Sequence, residues 1–392
     1  MSICGNQKIN QKNQKLPRSA ATSARVRAWR PVVCVALLTL AMANAGEPAL
    51  AVLRVPDPVE SLAFSSDGTV LAAAFAGRVQ LIHIPPGSSG AGSTGPASSG
   101  NASGNAASST IIGAAPVGPF PVIGNFRGEA CALRSPRFSP AGLFYFGRRR
   151  DCASGSATDR TTIPVYDIAT GGVARRLGPH PGYLTALGMS ADGERLASAA
   201  DDGQVRVWSV SDGRMLRALR LPRLSDPRRL MQPFAFDPAL EVIAVQDWRD
   251  YYMLLIDLES GTVLHKTEYP FRAGEQPLFI FAPDGKSYFD GRRIRESRGG
   301  QPVSTVEFNF AMIPHRAAFS PDGQYLALVQ RSGAGAAGGA GSTVEVYTTG
   351  TGNLWGAYTV ADRLESVAWH PDSARKLVAA GGYSGRIYLR EF

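Results

Sequence analysis

The stretch from Gly178 to Leu219 most constrains what this chain can fold into. It holds four short alternating runs, Tyr183–Met189, Arg195–Ala199, Gln204–Val210 and Met215–Leu219. Apolar and polar residues alternating with a period of two read as half-buried strands. Between the runs lie Ala191-Asp192-Gly193, Asp201-Asp202-Gly203 and Ser211-Asp212-Gly213. In such turns Asp hydrogen-bonds its own backbone, and Gly takes a positive φ without steric cost. Strands joined by turns this tight make one antiparallel meander.

The first turn of that unit recurs. Aligned copies are Phe64-Ser-Ser-Asp-Gly68, Phe138-Ser-Pro-Ala-Gly142, Met189-Ser-Ala-Asp-Gly193, Phe236-Asp-Pro-Ala-Leu240, Phe281-Ala-Pro-Asp-Gly285, Phe319-Ser-Pro-Asp-Gly323 and Trp369-His-Pro-Asp-Ser373. These seven copies are spaced 38 to 74 residues apart. Third-strand runs follow from Val79, Thr162, Val205, Met253, Val344 and Arg386, with a poor one near Arg292. Gly and Pro number 43 and 27, which suits many turns and few long helices.

The best copy resembles a blade of the WD-repeat family. It has Gly-x-His ending at His180, apolar Leu184 and Leu187, the Asp-Gly turn, Leu196-Ala-Ser198, then Asp202 six residues before Trp208; Ser209 replaces the usual Asp. The resemblance implies a structural hydrogen-bonded tetrad of His180, Ser198, Asp202 and Trp208. It also implies an all-β fold, a seven-bladed β-propeller of four-stranded antiparallel blades, over residues 46–392. The last copy ends at Phe392, directly after its third strand, while Ala49–Val55 is an apolar run that belongs to no other blade. An N-terminal strand pairing with the last blade is therefore expected to close the ring and cover an otherwise open edge. Two stretches, 86–109 and 332–342, are nearly all small or polar residues and read as flexible insertions.

The net charge of +9 is misleading, because seven Lys and Arg precede the first acid, Glu47, and leave only +2 for the remainder. A general nucleic-acid role loses its support. The basic stretch is followed by Pro31–Met42, apolar but for Thr39, and by Ala43-Asn44-Ala45. This order reads as a secretory signal over residues 1–45, cleaved to leave a mature chain near Gly46. The apolar run is too short to cross a bilayer, so no integral span is expected after cleavage. Periplasmic or secreted protein is the reading; the long acid-free lead leaves an organelle lumen, reached by a bipartite targeting sequence, as the alternative.

Cys131 and Cys152 remain in the mature chain and flank the first hairpin of the second copy, with their midpoint inside its turn. Antiparallel pairing about that turn would set them opposite each other, and a disulfide is expected. The five His residues are scattered over different copies without a metal-ligand spacing, and no Gly-x-Ser-x-Gly elbow occurs. Ala282–Ser287 ends like a phosphate loop, but Ile280 stands where the first Gly is required. No catalytic residue, metal or cofactor is assigned. Trp248, Arg249 and Tyr251 lie between second and third strands, where rigid aromatics beside a guanidinium suit an interface. Arg148, Arg149 and Arg150 end the matching strand of the second copy, and Tyr383 lies in the corresponding loop of the last. The resemblance places these loops on one face. The expected function is an exported, non-catalytic interaction platform, monomeric alone, that holds a protein or peptide. The alternative is an enzyme or ligand-binding propeller of lactonase, quinoprotein or sugar-sensing type, which needs polar groups converging on the channel.

Overall fold

The computed structural model describes residues 50–76, 78–86, 122–127, 133–139, 142–147, 162–168, 170, 172–180, 184–200, 203–221, 235–247, 252–268, 278–303, 314–332 and 341–392. Among them all regular structure is strand. The strands are β1 (Leu50–Arg54), β2 (Ser61–Phe64), β3 (Val70–Phe75), β4 (Arg78–His83), β5 (Val122–Arg127), β6 (Leu133–Ser139), β7 (Gly142–Gly147), β8 (Ile163–Tyr166) and β9 (Val173–Leu177). There follow β10 (Leu184–Met189), β11 (Arg195–Ala200), β12 (Gln204–Ser209), β13 (Met215–Arg220), β14 (Ala235–Phe236), β15 (Val242–Asp247), β16 (Tyr252–Asp257) and β17 (Val263–Glu268). The remainder are β18 (Ile280–Phe281), β19 (Ser287–Phe289), β20 (Ile294–Glu296), β21 (Arg316–Phe319), β22 (Tyr325–Ser332), β23 (Gly341–Thr348), β24 (Leu354–Val360), β25 (Leu364–Trp369), β26 (Leu377–Gly382) and β27 (Arg386–Glu391).

These make a β-propeller arrangement of antiparallel meanders: β2 to β5, β6 to β9, β10 to β13, β14 to β17, β18 to β20, β21 to β24, and β25 to β27 with β1. Six sheets have four strands, not the seven expected; the sheet of β18, β19 and β20 has three among the described residues. Residues 304–313, which follow β20, lie outside the described residues. Asp290 accepts the amides of Arg292 and Arg293 and pairs with Arg295 at 2.6 Å, which tightens the hairpin and shortens β20. Among the described residues after β20, an isolated bridge joins Arg295 to Pro302, and Val303 donates its amide to Ile294 O at 2.9 Å.

Second strands such as β3, β11 and β26 are buried on both faces, and their alternation feeds two cores. In β3, Leu71, Ala73 and Phe75 join one cluster while Ala72 and Ala74 join another with Val79, Leu81 and Tyr166 of the next sheet. Similar clusters join the third and fourth sheets through Val205 and Ile243, and the fifth and sixth through Phe289 and Leu328. Each sheet is thus stabilised mainly by its neighbours. The third and fourth strands share a further feature absent from simple alternation: a register shift sits at the same place in five sheets, as between Val207 and Trp208 and between Leu255 and Ile256. Such bulges increase twist. The residues opposite, among them Val173, Met215, Val263 and Leu354, are exposed.

The chain closes as its unpaired N-terminal run suggests. β1 pairs with β27 from Leu50 opposite Arg390 to Arg54 opposite Arg386. Ala51, Leu53 and Val55 enter the core shared with β3 and β27, and Val52 enters that shared with the sixth sheet. On the opposite rim His370 Nε2 donates to Gly68 O at 3.1 Å, joining the last turn to the first. A Cβ at Gly68 would lie 2.3 Å from that nitrogen, and φ there is +73°, so only glycine fits.

One expectation is corrected in part, and another is left outside the described residues. The insertion 332–342 is narrower than its composition suggests: Ser332 ends β22, and Gly341 and Ser342 begin β23, where buried Ser342 Oγ accepts the Leu364 amide at 3.0 Å. The hairpin of β6 and β7 runs from Ser139 opposite Gly142 to Leu133 opposite Gly147, with a shift between Arg134 and Arg137. That register does not by itself set Cys131 against Cys152, and both cysteines lie outside the described residues, as do 1–49 and most of 86–109.

Candidate functional site

In the third sheet Ser198 is fully buried on β11, opposite Arg206 and two positions from Trp208 on β12. Its Oγ meets His180 Nε2 at 2.6 Å and accepts Trp208 Nε1–H at 2.7 Å, while the two rings stand edge to face at 5.9 Å. Three members of the expected tetrad therefore converge; Asp202 lies outside the described residues. All three are interior, and the cluster ties strands together rather than facing a ligand.

The last sheet solves the same problem with other residues. Buried Asp362 accepts the Ser384 amide at 3.2 Å, the Ser384 hydroxyl, and Tyr388 Oη–H at 3.2 Å. Burial, and after it the Asp362 charge, pushes the Tyr388 phenol up to about 12. This cluster shapes the turn Gly382-Tyr383-Ser384-Gly385. A Cβ on Gly382 would lie 2.1 Å from Asp362 Oδ2, and one on Gly385 2.4 Å from Val55 O, so both glycines are required by close approach. Tyr383 is left pointing out, 59% exposed.

Beside Tyr383 opens a cleft of about 810 Å³, lined by Asp57, Glu60, Ala76, Arg316, Arg363 and Glu365 among others. It gathers the starts of β2, β21 and β25, each the first strand of its meander, with hairpin residues Ala76 and Tyr383, the end at which a propeller's channel would open. Its floor is fixed from several sides. Val59, fully buried, donates its amide to Gly382 O at 3.0 Å, and Val55 donates to Gly385 O at 2.7 Å, stapling the segment after β1 onto the last sheet. His315 Nε2 donates to Leu364 O at 2.8 Å, joining the sixth sheet to the last. Burial holds the His315 imidazole below its ordinary value, in keeping with the neutral form.

Charge is concentrated on one wall. Arg316 donates from Nε to Glu365 O at 2.6 Å, from Nη1 to His315 O at 2.8 Å and from Nη2 to Glu365 Oε2 at 3.1 Å. Burial lowers the Arg316 pKa and the Glu365 charge opposes this, so it stays a guanidinium. Arg363 Nε donates to the other oxygen of Glu365, and its guanidinium stands 5.7 Å from the Tyr383 ring centre. One carboxylate is shared by two cations. Asp57 and Glu60 lie on the wall contributed by the segment before β2. The arrangement is suited to holding charged groups of both signs. Among the described residues no three His, Cys, Asp or Glu side chains gather as a metal site.

Of the expected interface residues, only Tyr383 lies among the described ones, and it lines this cleft. Trp248, Arg249, Tyr251, Arg148, Arg149 and Arg150 lie outside them, between β15 and β16 or after β7. Sequence reasoning missed Asp57, Glu60, Arg316, Arg363 and Glu365. A signal was present: Glu60, Arg316 and Glu365 stand three or four places before Phe64, Phe319 and Trp369 of the repeated turn, where an inner strand begins.

The profile of the WD40 family, described as WD domain, G-beta repeat, matches residues 171–209, which contain Ser198 and Trp208. The chain is similar to the ribosome biogenesis protein BOP1 homolog of Arabidopsis thaliana, 26% identical over 164 residues, or 39% of this chain and 19% of that protein. It is also similar to the small ribosomal subunit protein RACK1y of Oryza sativa subsp. japonica, 24% identical over 141 residues, or 33% of this chain and 38% of that protein. The chain thus spans well under half the length of either relative.

Proposed function

We propose that this chain, a member of the WD-repeat family, is an exported, non-catalytic, seven-bladed propeller that holds a protein or peptide partner around its channel mouth. Propellers of this family present loops from several blades on one rigid surface, and fold alone does not choose the ligand. The observation that carries the reading is the charged mouth cleft beside exposed Tyr383. Arg316 is held by hydrogen bonds to Glu365 of the neighbouring sheet, and Glu365 in turn braces Arg363, so little ordering cost falls on this wall in association. Trp248, Arg249 and Tyr251 follow β15 as Tyr383 follows β26, and Arg148 to Arg150 follow β7; we assign all of them to the same partner-binding face. Both plant relatives are named for the ribosome, but a net charge of +2 outside the leader favours a protein over an RNA partner here. Cleavage after Ala45 would deliver the mature chain to an oxidising compartment.

The test is paired. Replacing Trp248 and Arg249 with Ala is expected to leave unfolding within about 1 kcal/mol of the parent and to weaken capture of the partner by about 2 kcal/mol. Lost stability with normal recovery per folded molecule would make these residues packing groups and move the binding face elsewhere. N-terminal sequencing of the mature protein is expected to begin at Gly46; Met1 retained on a cytosolic protein would overturn export.

A further inference from the structure

We propose that the mouth cleft between the sixth, last and first sheets is the partner's anchor site, and that it takes a short peptide segment carrying an acidic side chain beside a basic one. This rests on the interaction reading above and adds the chemistry of the partner.

The argument is one of unmatched charge on two walls. On the wall formed by β21 and β25, Glu365 is the one acid paired with Arg316 and Arg363 among the described residues, so one positive charge is left over. Arg316 is spent on Glu365 and on the His315 carbonyl. Arg363 is not: only its Nε is engaged, its side chain is 49% exposed, and both terminal nitrogens have no partner among the described residues. A guanidinium braced over a ring and by one carboxylate offers its remaining edge as a fixed fork, which suits a second carboxylate in bidentate geometry.

The opposite wall carries the complementary need. Asp57 lies between Val55 and Val59, both amides of which are tied to the last sheet, and it forms no ion pair among the described residues. It lines the same cleft as Arg363 without bridging to it. A purely acidic segment would satisfy Arg363 and be repelled by Asp57; a purely basic one would meet the reverse. A segment with both signs satisfies both walls, and the volume of about 810 Å³ has room for more than one side chain. The cleft also exists only when the ring is closed, because Asp57 and Val59 stand on the segment joining β1 to β2.

The experiment is selection of a random peptide display library on the full mature chain, followed by affinity measurements of the selected peptides on variants. The expected result is enrichment of Asp or Glu beside Lys or Arg, with affinity falling as salt rises. Arg363→Ala should weaken these peptides about tenfold, Arg363→Lys by less, and Asp57→Asn about fivefold. Should Arg363→Ala fail to fold, Asp57→Asn and Arg363→Lys decide the matter. Peptides that bind the parent and these variants alike overturn the anchor site and leave the interaction reading standing. Enrichment of uniformly acidic, basic or apolar peptides overturns the proposed chemistry. No enrichment, with partner capture still dependent on Trp248 and Arg249, overturns the cleft alone; loss of both results overturns both readings.

Discussion

Truncating Leu53 to Ala tests whether the N-terminal strand is part of the folded core. Leu53 is 2% exposed on β1 and packs in the cluster containing Leu71, Phe75, Ile387 and Leu389. Leu to Ala removes three carbons, worth about 2.4 kcal/mol at about 0.8 kcal/mol each. A residual cavity adds about 1 kcal/mol, because a site walled by two sheets collapses only partly, so about 3 kcal/mol is expected. The comparison is Arg54→Ala, one residue on, exposed and at the edge of the same strand, which should change stability by less than about 0.5 kcal/mol. Urea unfolding followed by tryptophan fluorescence reads both, with the midpoint compared at equal slope. A Leu53→Ala midpoint indistinguishable from that of Arg54→Ala would mean that β1 adds nothing to the core, and the closure of the ring would need another explanation.

Two further outcomes follow from buried polar groups. Ser198→Ala removes the shared partner of His180 Nε2 and Trp208 Nε1, and should cost about 2 to 4 kcal/mol in chemical unfolding, far more than an exposed serine such as Ser211. Burial also holds His265, His315 and His370 below their ordinary value. The unfolded chain then binds protons that the folded chain refuses, so stability should be level above about pH 7 and fall as pH drops through about 6.5 toward the lower folded values. His370, whose Nδ1 accepts the Asp372 amide and whose Nε2 donates to Gly68 O, should supply part of that slope, and His370→Gln should flatten it in urea titrations across this range.

The parts legible in sequence are those where one residue type is nearly obligatory. Gly68, Gly193, Gly285 and Gly323 all take φ near +70°, and the Asp before each orders its turn, so the repeated Asp-Gly announced the first hairpins. Ala49–Val55 was readable as a closing strand because it was apolar and had no other sheet to join; β1 is its core. The bulges before the fourth strands were not readable, since the residues at them, Val207 and Trp208 or Leu255 and Ile256, continue the strand pattern with no Gly or Pro to mark a break. Nor was the last sheet's Asp362, Ser384 and Tyr388 cluster, which replaces the His, Ser and Trp pattern with different residues in the same role. The mouth cleft was hidden for a different reason. Arg316 and Glu365 are 49 positions apart, and Asp57 reaches the same cleft only because the ring closes.

Ring closure by β1, which builds the wall carrying Asp57, is tested most directly by amide hydrogen exchange with mass spectrometry on the mature chain. The amides of Leu50–Arg54 are expected to exchange as slowly as those of β27, through the same unfolding event, because the two strands share a ladder from Leu50 opposite Arg390 to Arg54 opposite Arg386. Exchange of the β1 amides at the rate of an unstructured peptide, while β26 and β27 remain protected, would contradict it.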